Sequence, residues 1–285
     1  MRPVIVLALS LAVATAAVAG SADLQIGVDA DSANNRGASV RGDYAPDARW
    51  RFAAGTGITS LSENGTTTHG TSADGDIRLQ LGSFGINPGQ TYWHGSDNFS
   101  SGTTSFDLDW QRGSWRLQLL LEQPRFDVDY QLRVANQAVN RSVRFDGQGA
   151  GLGVEYYGSD WSAYASGIKF QYGSNVGRLI AISQLPNLER LPRLALLLNS
   201  MTTLTRGILN DRFETGLAHQ GERLDVHVDL TRVTDALTDS PASSYVLGAT
   251  WHPGKRHSVD FSIGMSNAAD LDSAGFGSLT WGLHW

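Results

Sequence analysis

Large apolar residues recur at every second position over most of this chain of 285 residues. Leu24, Ile26 and Val28 show the spacing near the N-terminus, and the intervening residues are polar or small. Successive side chains of a β-strand point to opposite faces of a sheet, so this period predicts strands with one apolar and one polar face. The alternation continues to the last residue, through Leu279, Trp281, Leu283 and Trp285.

Fourteen segments with this pattern are predicted as strands: 22–30, 36–44, 48–61, 74–83, 103–111, 114–122, 126–135, 149–158, 160–172, 211–220, 222–233, 243–252, 256–266 and 273–285. The connections between them are alternately short, as at Gln123-Pro124, and long, as at 136–148. Two places break the order. Residues 84–102 are long where a short turn is expected, and Gln111–Ser114 is tight where a long loop is expected. Twelve or sixteen strands therefore remain possible.

A soluble β-sandwich also alternates, with its apolar face in the core and its polar face in water. Three features favour a membrane instead. The predicted strands are long enough for a tilted crossing of about 9–11 residues. The two classes of connection match the short periplasmic turns and long outer loops of outer-membrane barrels. The last strand is apolar to its end, where a soluble edge strand is usually blunted.

The first 19 residues are predicted to be a cleaved secretory signal peptide. Arg2 precedes an apolar stretch from Val4 to Val18, and Ala17-Val18-Ala19 has the small-x-small spacing of a cleavage site. No later segment has the roughly 20 apolar residues of a membrane helix, so a membrane crossing requires a closed barrel. The chain has no cysteine and a net charge of −6, which argues against disulfide staples and against nucleic acid as a partner.

The leader, the alternation, the unequal connections and the aromatic end of the last strand together resemble bacterial outer-membrane β-barrels, in particular monomeric porins of about 14 strands. The resemblance implies an all-β fold over residues 20–285: a transmembrane antiparallel up-and-down β-barrel in the outer membrane of a Gram-negative bacterium. It also implies contact with outer-membrane lipid or lipopolysaccharide. The barrel assembly machinery is expected to read an assembly signal formed by Leu279, Trp281, Leu283 and Trp285.

One segment, 175–209, departs from the β pattern. Its apolar residues recur at intervals of three and four, which predicts helix, and Pro186 and Pro192 divide it into two pieces. This helical loop is expected in the lumen, or else at the barrel mouth or in the lipid interface. A stripe of small residues on the inner wall favours docking in the lumen: Gly149, Gly151, Gly153, Ala163, Ala165 and Gly167.

The polar face of the predicted strands carries many charges. The residues expected to line a pore are Arg41, Arg49, Arg51, Arg78, Asp107, Asp109, Arg116, Asp127, Asp129, Arg133, Lys169, Asp225 and Asp229. Arginines dominate the early strands and aspartates the later ones, which predicts a basic wall facing an acidic wall. We therefore expect a water-filled channel for passive diffusion of small polar solutes. The alternative is a ladder of ion pairs that closes the lumen, leaving a plugged structural or adhesion barrel.

An enzyme is the less favoured alternative. His94 and Ser96 faintly resemble the His-x-Ser arrangement of outer-membrane phospholipases and lipid A deacylases, in which a histidine activates a serine nucleophile. The predicted topology places this stretch on the periplasmic side, whereas those enzymes act in the outer leaflet. The seven histidines show no metal-binding spacing, and no cofactor is implied.

Overall fold

The computed structural model describes residues 20–63, 66–95, 99–134, 137–173, 188–190, 208–268 and 271–285. Their strands are β1 (Ser21–Asp31), β2 (Arg36–Ala45), β3 (Trp50–Glu63), β4 (Thr66–Leu81), β5 (Phe84–Gly95), β6 (Phe99–Arg112), β7 (Trp115–Val134), β8 (Gln137–Tyr157), β9 (Trp161–Tyr172), β10 (Leu188–Arg190), β11 (Leu209–His219), β12 (Leu224–Asp235), β13 (Pro241–Gly254), β14 (His257–Ala268) and β15 (Leu271–His284). No helix in these ranges is long and apolar enough to span a membrane. The predicted signal peptide lies outside the described residues.

Fourteen of these strands form a closed antiparallel barrel in which neighbours in the chain are neighbours in the sheet. The ring closes where β15 pairs with β1, from Asp23 opposite His284 to Asp31 opposite Phe276. Strand β9 pairs directly with β11, and the three-residue β10 lies beside β7 instead. The up-and-down barrel predicted from the sequence, and its 14 strands, are confirmed.

The two ends of the barrel differ. Six tight turns join β2–β3, β4–β5, β6–β7, β8–β9, β11–β12 and β13–β14 at one end. Ser21, the first residue of β1, and His284, the last residue of β15, lie there too. We call this the short-turn end and the opposite one the loop end. Outer-membrane barrels direct their short turns to the periplasm.

The outer face of the barrel carries a continuous band of exposed apolar side chains. On β12 the outward residues Leu224, Val226, Val228 and Leu230 are followed by Arg232. Val228 is 52 % exposed, a value that a soluble core strand would not show. Tryptophans rim this band at the short-turn end, as in the aromatic girdles of membrane barrels; they include Trp50, Trp115, Trp161 and Trp251.

Strands β7 and β8 are about twice as long as a crossing requires, with 20 and 21 residues. Beyond Glu122 their outer face changes from leucines to charges. Arg125 Nε lies 2.7 Å from Asp146 Oδ1, and Asp127 pairs with Arg144. This hairpin therefore projects past the apolar band at the loop end.

The predicted strand boundaries need two corrections. Residues 84–95, expected in a turn, form β5, while Gln123-Pro124, expected as a turn, lies inside β7. The prediction misses strand β5 and divides β7 into two strands. These two errors cancel, so the predicted number of 14 strands is right although the individual strands differ. With β5 in place, the tight connection after Gln111 falls at the short-turn end. Several predicted loops, including most of 136–148, are extensions of strands.

Candidate functional site

The inner wall carries a network of ion pairs centred on Asp109. Arg78 Nη2 lies 3.0 Å from Asp109 Oδ2, and Arg116 Nε lies 3.1 Å from Asp109 Oδ1. Arg116 also reaches Glu155 Oε2 at 3.0 Å. The Asp109 side chain is only 1 % exposed, whereas Arg78 is 25 % exposed. One buried carboxylate thus binds guanidinium groups from β4 and β7. Arg78, at the edge of this network, remains in contact with the lumen.

A second network spans β2, β3 and β4. Arg41 pairs with Asp74, and its Nη2 lies 2.6 Å from Asp76 Oδ2. Arg51 Nη2 lies 2.6 Å from Asp43 Oδ1, and the Asp43 side chain is 5 % exposed. The side chain of Arg51 is more than half exposed. These side chains form a charged, partly hydrated lining at the short-turn half of the barrel.

A third contact connects strands that are not neighbours. Arg212 on β11 places Nη2 2.5 Å from Glu122 Oε1 on β7, while its Nε lies 3.5 Å from Glu214. Both Arg212 and Glu122 are almost buried. The side chain of Arg212 must therefore pass in front of β8 and β9, which narrows the lumen on this side.

The predicted pore residues divide between the two faces. The inner face holds Arg41, Arg51, Arg78, Asp107, Asp109, Arg116, Asp225 and Asp229. Asp127, Asp129 and Lys169 lie on the outer face, opposite to expectation. Arg49 lies in the turn before β3, and Arg133 is in β7 with its side chain outside the described residues.

The reason for the difference at Asp127 and Asp129 is the continuity of β7. The sequence pattern assumes a turn at Gln123-Pro124, after which Phe126 and Val128 would face lipid. Because the strand runs through, these two side chains face inward and are almost fully buried. The aspartates between them consequently face outward.

The charges do not segregate into a basic and an acidic wall. Arg41, Arg51, Arg78 and Arg116 each have a carboxylate partner on the same or a nearby strand. The partners omitted from the predicted set are Asp43, Asp74, Asp76 and Glu155. The sequence could have indicated these carboxylates, because they alternate along the strands on the same face as the arginines. The inner wall is therefore a mosaic of local ion pairs.

The predicted docking stripe is also divided between faces. Gly149, Gly151 and Gly153 face inward, but the register with β8 places Ala163, Ala165 and Gly167 on the outer face with Tyr156, Val154 and Leu152. The inner glycines are covered by large side chains from the neighbouring strand. A Cβ on Gly149 would lie 2.6 Å from Phe170 Cε1, and one on Gly151 would lie 2.6 Å from Ile168 Cγ1.

Only a small part of the predicted helical loop belongs to the described residues. Within 175–209, residues Leu188–Arg190 form a strand rather than a helix, and Leu209 begins β11. Ile208 is buried against the inner apolar cluster. Residues 174–187 and 191–207 lie outside the described part of the chain.

Near the loop end the inner wall of β5–β9 is aromatic rather than charged. Trp93, Phe99, Phe126, Phe145 and Tyr172 form a chain of ring contacts, with centroids 5.1–6.3 Å apart. Trp93, Phe99 and Phe126 are 1–2 % exposed. The sequence pattern missed this cluster because it placed Trp93 in a turn and Phe126 toward lipid.

The wall formed by β13, β14, β15 and β1 has the opposite character. Most of its inward side chains are small or polar, as in Ser262 and Ser278, whose hydroxyl oxygens lie 2.6 Å apart, and Phe276 is a large apolar exception. Thr250 donates a hydrogen bond to Asp260 on the same wall. The lumen is thus crowded on the β5–β11 side and lined by short side chains on the other.

The predicted His-x-Ser pair lies elsewhere than expected. His94 is near the loop-end terminus of β5, opposite Thr71 and Ser100, on the outer face. Ser96 lies outside the described residues. The sequence predicts this stretch at the periplasmic end of the barrel. Because residues 84–95 form strand β5, His94 lies at the loop end instead.

The chain matches no protein-family model, and no curated protein matches it. Solved structures do match. CymD, described as a monoaromatic hydrocarbon channel, aligns with a TM-score of 0.53 and 8 % identity over 94 % of this chain and 88 % of that chain. OmpT of Vibrio cholerae, expressed in the outer membrane, aligns with a TM-score of 0.51 and 9 % identity over 93 % of this chain and 97 % of that chain.

At such low identity these similarities concern the fold, which is that of bacterial outer-membrane β-barrels. The exposed apolar band gives this fold a surface suited to lipid. The fold and the exposed apolar band are therefore those of a membrane β-barrel, as the sequence predicted.

Proposed function

We propose that the barrel is a channel for passive diffusion of small polar solutes. The observation that carries the proposal is the partial exposure of the inner ion pairs. Arg41, Asp74 and Asp76 are 35 %, 29 % and 26 % exposed although they face inward. Charges in a closed interior must be paired or hydrated, and these are paired while remaining accessible to solvent.

The width of the barrel supports an open path. Eight strands enclose a space that side chains alone can fill, and barrel diameter grows roughly linearly with strand number. Fourteen strands therefore give about 1.7 times that diameter. The long side chains lie on one half of the wall, whereas most inward side chains of β13–β15 and β1 are short; among these, Ser244, Ser262 and Ser266 are 2–3 % exposed.

The lining favours polar over apolar solutes. The aromatic cluster at the loop end is too deeply buried to offer a surface to a passing molecule. The remaining wall presents hydroxyl groups and fixed ion pairs, which hydrogen-bond to dipolar solutes and carry little local net charge. CymD is described as a channel for monoaromatic hydrocarbons, so this fold is compatible with transport; the inner wall supports a different class of solute here.

Single-channel recording in planar bilayers tests the proposal. Ser278→Trp places a large ring on the half of the inner wall that carries short side chains and is expected to reduce conductance at least about twofold. Phe261→Trp is the matched control, because Phe261 lies on the outer face of the neighbouring strand β14, opposite Leu279, and is 52 % exposed. The control is expected to conduct like the wild type.

A folded wild-type barrel that gives no channels would contradict the proposal and support the plugged structural or adhesion barrel. Equal conductance of Ser278→Trp and the wild type would show that the path does not follow this wall. The lipid hydrolase based on His94 and Ser96 stays untested, because Ser96 lies outside the described residues.

A further inference from the structure

Three inward side chains at the short-turn end form a hydrogen-bonded chain. His284 Nδ1 lies 2.6 Å from Asp23 Oδ1, and His284 Nε2 lies 3.0 Å from Ser258 Oγ. A carboxylate thus meets one ring nitrogen and a hydroxyl group the other. This is the connectivity by which a histidine activates a serine nucleophile.

Barrel closure brings the three residues together. Asp23 on β1 lies opposite His284 on β15, and Ser258 on β14 lies opposite Gly282 on β15. All three side chains are on the inner face. A Cβ at position 282 would clash with Ser258 Oγ and lie 3.4 Å from His284 Nε2. The glycine therefore leaves the space in which the hydroxyl group and the imidazole meet.

The order of the contacts sets this histidine apart from two others on the inner wall. His252 and His227 meet Asp225 and Asp229 through Nε2, at 3.0 Å and 3.7 Å. In His284 the carboxylate is at Nδ1. A neutral imidazole with its proton on Nδ1 donates to Asp23 and leaves the Nε2 lone pair to accept the proton of Ser258.

The backbone does not need this chain of side chains for closure. Strands β1 and β15 already pair over nine positions, from Asp23 opposite His284 to Asp31 opposite Phe276. The site also remains accessible, since the side chains of Asp23 and His284 are 39 % and 35 % exposed. It lies at the short-turn end of the barrel, on the wall formed by β14, β15 and β1.

We propose that Ser258 and His284 are catalytic residues for hydrolysis of short-chain carboxylic esters that enter at the short-turn end, and that Asp23 is the positioning residue of His284. Ser258 Oγ attacks the ester carbonyl carbon while His284 Nε2 takes the hydroxyl proton. The carbon–alkoxide bond breaks, the leaving oxygen takes that proton, and Ser258 carries the acyl group. Water then adds with His284 as base, and the acid is released as Ser258 regains its proton. The sum is ester plus water to acid plus alcohol.

Active-site labelling tests the nucleophile directly. The full-length barrel, folded in detergent, is treated with a biotinylated alkyl fluorophosphonate and the modified peptide is identified by mass spectrometry. One label is expected, on Ser258. Ser258→Ala is expected to abolish it, and His284→Asn to slow it at least about 100-fold. Ser262→Ala is the matched control, because Ser262 lies on the same face of β14 without a histidine contact among the described residues.

Hydrolysis of p-nitrophenyl acetate and butyrate gives the second readout. His252→Asn removes an imidazole from the same end of the barrel and is expected to keep the wild-type rate. Asp23→Ala is expected to lower kcat at least about tenfold with little change in KM, and Asp23→Glu to restore part of it. A purely structural Asp23 would not give this rescue in variants that fold equally well.

Correct folding of each variant is checked by circular dichroism and by the heat-dependent shift of the barrel on gels. Labelling that persists in Ser258→Ala, or a folded wild type that is neither labelled nor active on the esters, would overturn the proposal. Equal loss of activity in His252→Asn and His284→Asn would do the same. None of these results depends on conductance, so the channel and the ester site can fail separately.

Discussion

At the scale of single residues, Asp109 is the side chain on which the inner ion pairs depend most. Its carboxylate is 1 % exposed and lies within 3.1 Å of both Arg78 and Arg116. A charge buried this deeply is tolerated because two cations compensate for its lost hydration. Removing it leaves two guanidinium groups facing each other across β6.

Asp109→Asn is therefore expected to destabilise the barrel by about 2–4 kcal/mol. The measurement is urea unfolding in lipid vesicles, followed by tryptophan fluorescence. Asp127→Asn is the control, since Asp127 lies on the outer face and its partner Arg144 is 67 % exposed; little change is expected there. Similar unfolding midpoints for both variants would show that Asp109 is hydrated rather than buried.

At the scale of elements, the pairing of β8 with β9 depends on glycines of β8, which leave space for large side chains of β9. Gly151→Ala places a methyl group against the backbone oxygen of Gly167 and 2.6 Å from Ile168 Cγ1. We expect a loss of about 1–3 kcal/mol, because a backbone atom cannot move aside as a side-chain tip can.

Gly167→Ala is the matched substitution on the adjacent strand. Its Cβ points to the outer face, where the backbone oxygen of Arg212 and Cδ2 of Phe213 would lie 3.9 Å away, an ordinary contact distance. Unfolding of the two variants in the same vesicles should differ, with Gly167→Ala close to the wild type. If Gly167→Ala were the more damaging change, the assignment of faces on β8 and β9 would be wrong.

The strands that the sequence predicts correctly are those with uninterrupted alternation, such as β12 and β14. Prolines caused the errors elsewhere. Pro88 and Pro124 both read as turn residues, yet each lies inside a strand at a gap in the pairing with one neighbour. A proline that cannot donate to the ladder is accommodated where pairing is locally interrupted. Local sequence does not reveal that the partner strand tolerates the gap.

At the scale of the whole molecule, the contacts of the inner wall depend on register and closure. Arg41 meets Asp74 two strands away, and His284 meets Asp23 across 261 positions of the chain. Alternation predicts which face most of these residues share, but not which charge meets which. Those contacts become visible once the barrel fixes the height of every strand.

The apolar band on the outer surface determines which medium can surround the barrel. Leu247 on β13 is 49 % exposed and lies between Val228 and Ile263 in the apolar band. Leu247→Arg is expected to cost about 2–4 kcal/mol in lipid vesicles, the penalty for a cation near the bilayer midplane.

Asn267→Arg is the control, since Asn267 lies on the same face near the loop end, opposite Ser243 and beyond the band. There the cost is expected to fall to about 0–1 kcal/mol, because the side chain reaches water or lipid headgroups. Urea unfolding of both variants in the same vesicles measures the difference. In water, an arginine at either exposed position would be harmless, so equal stability would contradict a lipid-facing band and with it the membrane location of the barrel.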